Sequence, residues 1–289
     1  MFTNWFVLAL VGVITLAASE VLQKKALTTK ENINTETNNL IVWIVQCLLS
    51  VVFVLIFSIK WNLELTPLLI GELLVQGVLY FFAGTLYYTS YKGQSISLSV
   101  IILNLSFIIS TVLGIVFFAE QITLAKLLGM VFILAGIVVI NYTRKEKVDK
   151  YVIYAVIGSA IYGIAFTLDK AFSVSMDPNI YQVMFTSSII IATFAFRGKM
   201  VIKDLKAIKL KNILLALIPG VTFFIFNKAD LVAYSVGGEV GKIQAINSTS
   251  LFVIILIELL LLMDRKGVAK KLLVSVMVIT GVVLLSLNS

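Results

Sequence analysis

Long apolar stretches recur along this chain, separated by short polar connections. Ten runs can be read, roughly 4–24, 40–59, 67–91, 95–118, 123–142, 151–171, 179–196, 212–234, 240–262 and 268–287. Each is near the ~20 residues that a helix needs to cross the hydrocarbon of a bilayer. The runs are continuous, whereas a membrane β-barrel would need alternating segments of ~10 residues. The pattern predicts an all-α integral membrane protein with ten transmembrane helices. The first run ends in Ser19-Glu20-Val21-Leu22-Gln23-Lys24-Lys25. It lacks the basic start and small-residue cleavage site of a signal peptide, so it is expected to be a retained span.

Polar residues inside the runs fall into stripes. In the third run Glu72, Gln76, Tyr80, Tyr87 and Tyr91 share one face at about 100° per residue, with Gly84 among them. In the eighth run Pro219, Phe223, Asn227, Asp230 and Tyr234 do the same. Such groups are costly against lipid and belong on a bundle interior or a wet cavity. The two helices are therefore expected to face each other across a central cavity. Pro67 and Pro178 stand where helices begin, and Pro219 lies inside a run, where it either kinks the helix toward the cavity or is simply tolerated.

The chain also repeats itself. Lys25 aligns with Lys170, Tyr91 with Tyr234, Asn104 with Asn247, Lys126-Leu127-Leu128 with Lys271-Leu272-Leu273, and Gly136 with Gly281, all at offsets of 143 to 145 residues. Five runs precede the polar connection at 143–150 and five follow it. The expected organisation is a first five-helix repeat over 1–142, a linker over 143–150 and a second five-helix repeat over 151–289. A unit with an odd number of spans enters the membrane in opposite senses in its two copies. The expected architecture is therefore two inverted five-helix repeats, the arrangement through which many secondary transporters alternate access.

Composition narrows the chemistry. Of the 289 residues, 60% are hydrophobic and 13% charged, against roughly 25% charged in soluble domains. There is no histidine and a single cysteine, Cys47. That excludes an intrachain disulfide, a cysteine-histidine zinc site, a histidine-held haem and a Ser-His-Asp triad. The net charge of +8 is read as loop lysines beside the spans, not as a nucleic-acid surface. Most of the 23 lysines and arginines lie in odd-numbered connections, including Arg144, Lys145, Lys147 and Lys150 in the fifth and Arg197 to Lys211 in the seventh. The positive-inside rule then puts these loops in the cytoplasm and both termini outside. Trp5, Trp43 and Trp61 lie near run ends, where an aromatic belt would hold them.

At the end of the first half the chain reads Phe117-Phe118-Ala119-Glu120-Gln121-Ile122-Thr123-Leu124-Ala125-Lys126-Leu127-Leu128-Gly129 and continues to Leu134-Ala135-Gly136-Ile137-Val138. This resembles the end of the repeat in EamA-type members of the drug/metabolite transporter superfamily. Tyr162-Gly163 followed by Lys170 resembles that family's first repeat helix, and Ala18 and Lys25 keep the same spacing. The likeness spans nearly the whole chain. It departs at Ser106-Phe107, where a proline is common, at Asp264-Arg265-Lys266, where a glutamate is usual, and at Val274, the partner position of Gly129. These departures leave the subfamily open. The resemblance implies transport of a small metabolite without naming it.

Asp230 is the strongest coupling candidate, one turn from Asn227 and one from Tyr234. A buried carboxylate can take up and release a proton; the competing reading is an ion pair with Lys228 or Lys242. Glu72 and Glu20 are the other proton-coupling candidates. The substrate-binding candidates are Gln76, Tyr80, Tyr87, Tyr91, Asn104, Asn227, Tyr234 and Asn247. Ser97, Asn104 and Thr111 share a face, as do Gln244, Asn247 and Glu258, and these serve equally as interhelical hydrogen bonds. Ser99, Ser106, Ser110 and Gly114 form a packing seam, and Asp169 shares a stripe with Tyr151, Tyr154, Gly158 and Tyr162. Lys24, Lys25 and Lys170 read as snorkelling ends, Glu120 as a cap on the fifth helix, and Gly237 to Gly241 as a turn. Together these features predict a multi-pass protein of the inner or plasma membrane. It would export a small polar or amphipathic metabolite (an amino acid, amine or drug-like molecule) by alternating access coupled to protons. The alternatives are exchange without protons, or a non-transporting membrane partner protein. No enzyme activity, cofactor, metal or nucleic acid is expected, and the partners are the substrate, the bilayer and protons, in a monomer or homodimer.

Overall fold

The computed structural model describes residues 5–28, 33–118, 122–142, 149–236, 243, 246–260 and 267–286. Among these residues the chain is helical, with no strand. The helices are α1 (Trp5–Leu27), α2 (Thr35–Ile56), α3 (Pro67–Ser90), α4 (Ile96–Leu103), α5 (Leu105–Phe118), α6 (Leu124–Tyr142), α7 (Lys150–Ser175), α8 (Pro178–Ala207), α9 (Leu210–Ser235), α10 (Ser250–Leu260) and α11 (Val268–Ser286). Each apolar run is thus helical where it is described. Among the described residues seven helices, with α4 and α5 taken as one, are long and apolar enough to cross a membrane. The outer surface is apolar: Leu55, Leu68 and Phe117 are among many large hydrophobic side chains left exposed. The buried set includes glutamine, asparagine and carboxylate side chains. Apolar outside and polar inside is the arrangement hydrocarbon solvent demands.

Local chemistry sets the helix ends. Thr66 and Ser95 accept from the backbone N–H three residues on, and Asp149 and Asp177 cap their helices similarly. Pro67 and Pro178 open their helices, as the sequence predicts. The fourth run is broken at Asn104. There the side-chain Nδ2 donates to the Val100 carbonyl at 2.7 Å, competing with the backbone ladder. Two connections are shorter than the sequence suggests. The apolar runs leave 25–39 as a polar connection, yet α2 starts at Thr35 with Thr35, Thr37, Asn38 and Asn39 buried. The basic stretch from Arg197 continues α8 to Ala207, because Lys, Arg, Met and Leu are good helix formers whatever their polarity. The 143–148 part of the linker, Glu120 and the glycine-rich Gly237–Gly241 lie outside the described residues.

Helices of the first half pack on helices of the second. α1 lies on α9 and α3 on α7; α2 packs on α8 and α9, and α3 also on α8; α6 pairs with α11. Glycines mark the tightest approaches. A Cβ on Gly77 would stand 2.5 Å from the Ser188 carbonyl of α8, and one on Gly220 would stand 2.7 Å from Val45 Cβ of α2. Gly136 and Gly281, aligned in the sequence, lie in the α6–α11 contact: a Cβ on Gly281 would sit 2.7 Å from the Gly129 carbonyl oxygen, and one on Gly136 2.7 Å from Val278 Cγ2. In the packing seam Gly163 of α7 closes on the Ser106 carbonyl.

Odd-numbered connections meet at one end. Lys24 donates to the carbonyls of Tyr91 and Gln94, so it ties α1 to the turn after α3 instead of snorkelling. Thr37 donates to Asp204 at 2.9 Å, and Lys270 to the Ile140 carbonyl at 3.0 Å. Even connections meet elsewhere: Lys60 and Asn62 share a cleft of about 360 Å³ with Ser175, Met176 and Asp177.

Candidate functional site

Three of the carboxylates within the bundle are each held by a different set of neutral groups. Asp169 of α7 is the most completely bonded. Its Oδ1 accepts from Gln76 Nε2 and from the Tyr181 hydroxyl, and its Oδ2 from the Tyr80 hydroxyl. Gln76 also donates to the Tyr181 oxygen. Gln76 and Tyr80 are the predicted stripe of α3, one turn apart, so both reach the same acidic residue. Glu20 of α1 is buried and accepts from the Tyr91 hydroxyl, which shares a second hydrogen bond with the Tyr87 hydroxyl at 2.9 Å. The lower part of the same stripe therefore serves a second carboxylate. Asp230 of α9 is buried, and its Oδ2 accepts from Asn247 Nδ2 at 2.7 Å.

Aromatic rings fill the space between these groups. Trp43 of α2 stands edge-on to Tyr80, Phe185 and Phe223, with centroids 6.0, 5.5 and 5.9 Å away. Tyr80 in turn meets Tyr162 and Phe185, and Tyr162 stacks on Phe166. The belt reading of Trp43 is thereby corrected: the residue is buried at the centre. The α3 and α9 stripes do approach a common centre, but Trp43 stands between Tyr80 and Phe223. Edge-on rings present hydrogen-lined edges to π-faces and pack densely without losing an amphipathic lining.

Other predicted residues go to different places. Asn227 is half-buried and donates to Gln46 Oε1 at 2.7 Å. Asn104 accepts from Ser248 Oγ at 3.0 Å, which joins the break in the fourth run to the ninth. Tyr234 packs against the small cluster of Ala9, Ala233 and Ile243, with Trp5 and Leu8. Glu72 is exposed, one turn before the buried Gln76, and is not part of the interior cluster. Lys228 donates to Asn179 Oδ1 at 2.7 Å and lies 4.4 Å from the Phe53 ring centroid, so it turns away from the predicted pairing with Asp230. Lys242 and Gln244 lie outside the described residues. Glu258 is tied down: it takes Ser97 Oγ at 2.6 Å and the Lys271 ammonium at 3.0 Å.

Asp169 and Tyr181 are the members that stripe reasoning left off the candidate list. Asp169 did share a face with Tyr162, and that was the available signal. Nothing along α7 alone indicates that donors from α3 and α8 converge on it.

Residues 3–142 match the model of the EamA-like transporter family. No curated protein matches the chain in sequence. Among solved structures, one described only as the crystal structure of a protein is similar in fold over 99% of this chain and 100% of its own, with a TM-score of 0.64 and 14% identity. Residues 3–142, with their apolar helices around a polar interior, belong to the EamA-like transporter family.

Proposed function

We propose that the protein is a ten-span secondary transporter built from two inverted repeats, 1–142 and 151–289, that exports a small polar or amphipathic metabolite from the cell by alternating access. The observation that carries this reading is the exchange of contacts between halves. α1 rests on α9 as α7 rests on α3, and Gly77 meets α8 as Gly220 meets α2. Gly77 and Gly220 are 143 positions apart, as are their partners Val45 and Ser188, so the offset read from tyrosines and asparagines recurs in the packing. Two half-units related this way can rock against each other and open the shared interior to either side. The aromatic centre, with Asp169 beneath Tyr80, suits an amine-bearing or aromatic cargo.

Asp230 and Glu20 are the buried groups assigned to proton coupling, and Glu72, being exposed, contributes less. The competing reading is exchange without protons. It is favoured at Asp169, whose oxygens are already satisfied by three fixed donors. Counterflow into liposomes of a mixed panel (amino acids, polyamines, nucleotides and cationic dyes), with and without a pH gradient, tests both. Uptake of one class that follows the gradient, with the dependence lost in Asp230→Asn, is the expected result. Uptake indifferent to the gradient selects exchange. No flux of any class by folded protein overturns transport of the panel's cargo classes.

A further inference from the structure

Buried polar side chains normally have a partner for each hydrogen-bonding atom. Two at the junction of α1, α9 and the residues before α10 do not. Asn247 Nδ2 donates to Asp230 Oδ2, while Asp230 Oδ1 and Asn247 Oδ1 have no hydrogen-bond partner among the described residues. Both residues are more than nine-tenths buried, at 6% and 2% exposed. The two oxygens border one point, each 3.1 Å from where a Cβ on Gly12 of α1 would stand. Two acceptors side by side repel unless a hydrogen lies between them. An amide oxygen cannot supply one, but a carboxyl can.

We propose that Asp230 and Asn247 form a one-proton site. Asp230 carries a proton on Oδ1 and donates it to Asn247 Oδ1, closing a two-bond acid–amide ring with the Nδ2–Oδ2 hydrogen bond, and Gly12 of α1 seals it. A single proton satisfies both open atoms. It comes from water and returns to water, and no other bond changes. A metal cation fits poorly, because hard cations take about six or more oxygens; here Gly12 offers no side chain, and the Phe226 ring stands 3.6 Å from the same point. Among the described residues the neighbouring charges are committed. Asp169 of α7, the acidic group that acts on Asp230 through space, is held by its three donors. Glu20 of α1 is bonded to Tyr91, Lys228 of α9 to Asn179, and Glu258 of α10 to Lys271. α2 presents the neutral Gln46. Because α1 covers the ring, proton exchange requires α1 to part from α9. This last step rests on the transport reading; the ring itself does not.

Infrared difference spectroscopy of the protein in nanodiscs tests the ring. The expected result is a protonated-carboxyl C=O band at neutral pH that is absent from Asp230→Asn and moved to higher frequency in Asn247→Leu, which loses the amide donor. Asp230→Asn can still donate to Asn247 Oδ1, so it should fold. Its thermal stability should fall less at alkaline pH than that of the wild type, which loses the proton and weakens. No band separating wild type from Asp230→Asn would overturn the assignment whether or not the protein transports. A band abolished by added sodium would replace the proton with a cation and also overturn it. A band present with no flux in the liposome panel would leave the ring standing and remove the transport reading instead.

Discussion

Asp169, half-buried, and Glu258, buried, are acids held in different ways, and substitutions should separate them. Tyr80→Phe deletes one of three neutral donors to Asp169 and leaves the ring packing intact. The expected loss is about 1–3 kcal/mol, the cost of under-satisfying a buried acceptor, read as a lower melting temperature in detergent. Lys271→Met leaves the Glu258 charge with Ser97 alone, and breaking a buried ion pair from one side costs about 3–5 kcal/mol. Adding Glu258→Leu to Lys271→Met should recover most of that loss in the same melt; a double variant no better than the single would show that the pair is not the source. At this scale the sequence was half legible. Glu20 and Tyr91 were both visible as polar residues in apolar runs. Their meeting was not, because helical spacing fixes which residues share a face and says nothing of which face another helix presents. The same gap placed Glu72 with Gln76, though a bundle-facing stripe need not stay buried to the end of its helix.

The helices themselves were legible almost to their ends, since a continuous apolar run of bilayer length has few alternatives. What escaped were features set by polar side chains acting locally. The α4–α5 break comes from one amide turned on its own backbone, in a run whose hydropathy is uninterrupted. The extension of α8 to Ala207 follows helix propensity after hydropathy has stopped. Close approaches were visible only in part: Gly136 and Gly281 stood out through the repeat, whereas Gly77 and Gly220 became a pair only once their opposite helices were known. Gly77→Ala should destabilise by about 1–3 kcal/mol, because its Cβ meets the Ser188 backbone. Gly71→Ala, on the same helix with nothing within 4 Å, is the control and should be neutral or slightly stabilising. Equal melting temperatures for the two variants would contradict the tight α3–α8 contact.

For the whole molecule, the gathering of odd-numbered connections at one end puts the described basic residues of those connections on one side, which the positive-inside rule assigns to the cytoplasm. With Cys47 replaced by serine, a cysteine at Lys206 should resist an impermeant thiol reagent in right-side-out vesicles, and one at Asn62 should react. The reverse pattern would turn the protein over. That the chain is built of apolar helices was readable from hydropathy alone, but which helices of the two halves touch was not, because a repeat offset is equally compatible with two side-by-side bundles. The interleaving also has a consequence for synthesis. Gln76 and Tyr80 receive their partner Asp169 only after about 90 more residues have been made. At roughly 5–20 residues per second that is a wait of about 5–20 s. Through that interval the nascent first half holds an amide and a phenol in the membrane without their acidic partner. Insertion machinery that shelters polar helices, or keeps them near the interface, should therefore govern the yield of this protein more than the hydropathy of any one helix does.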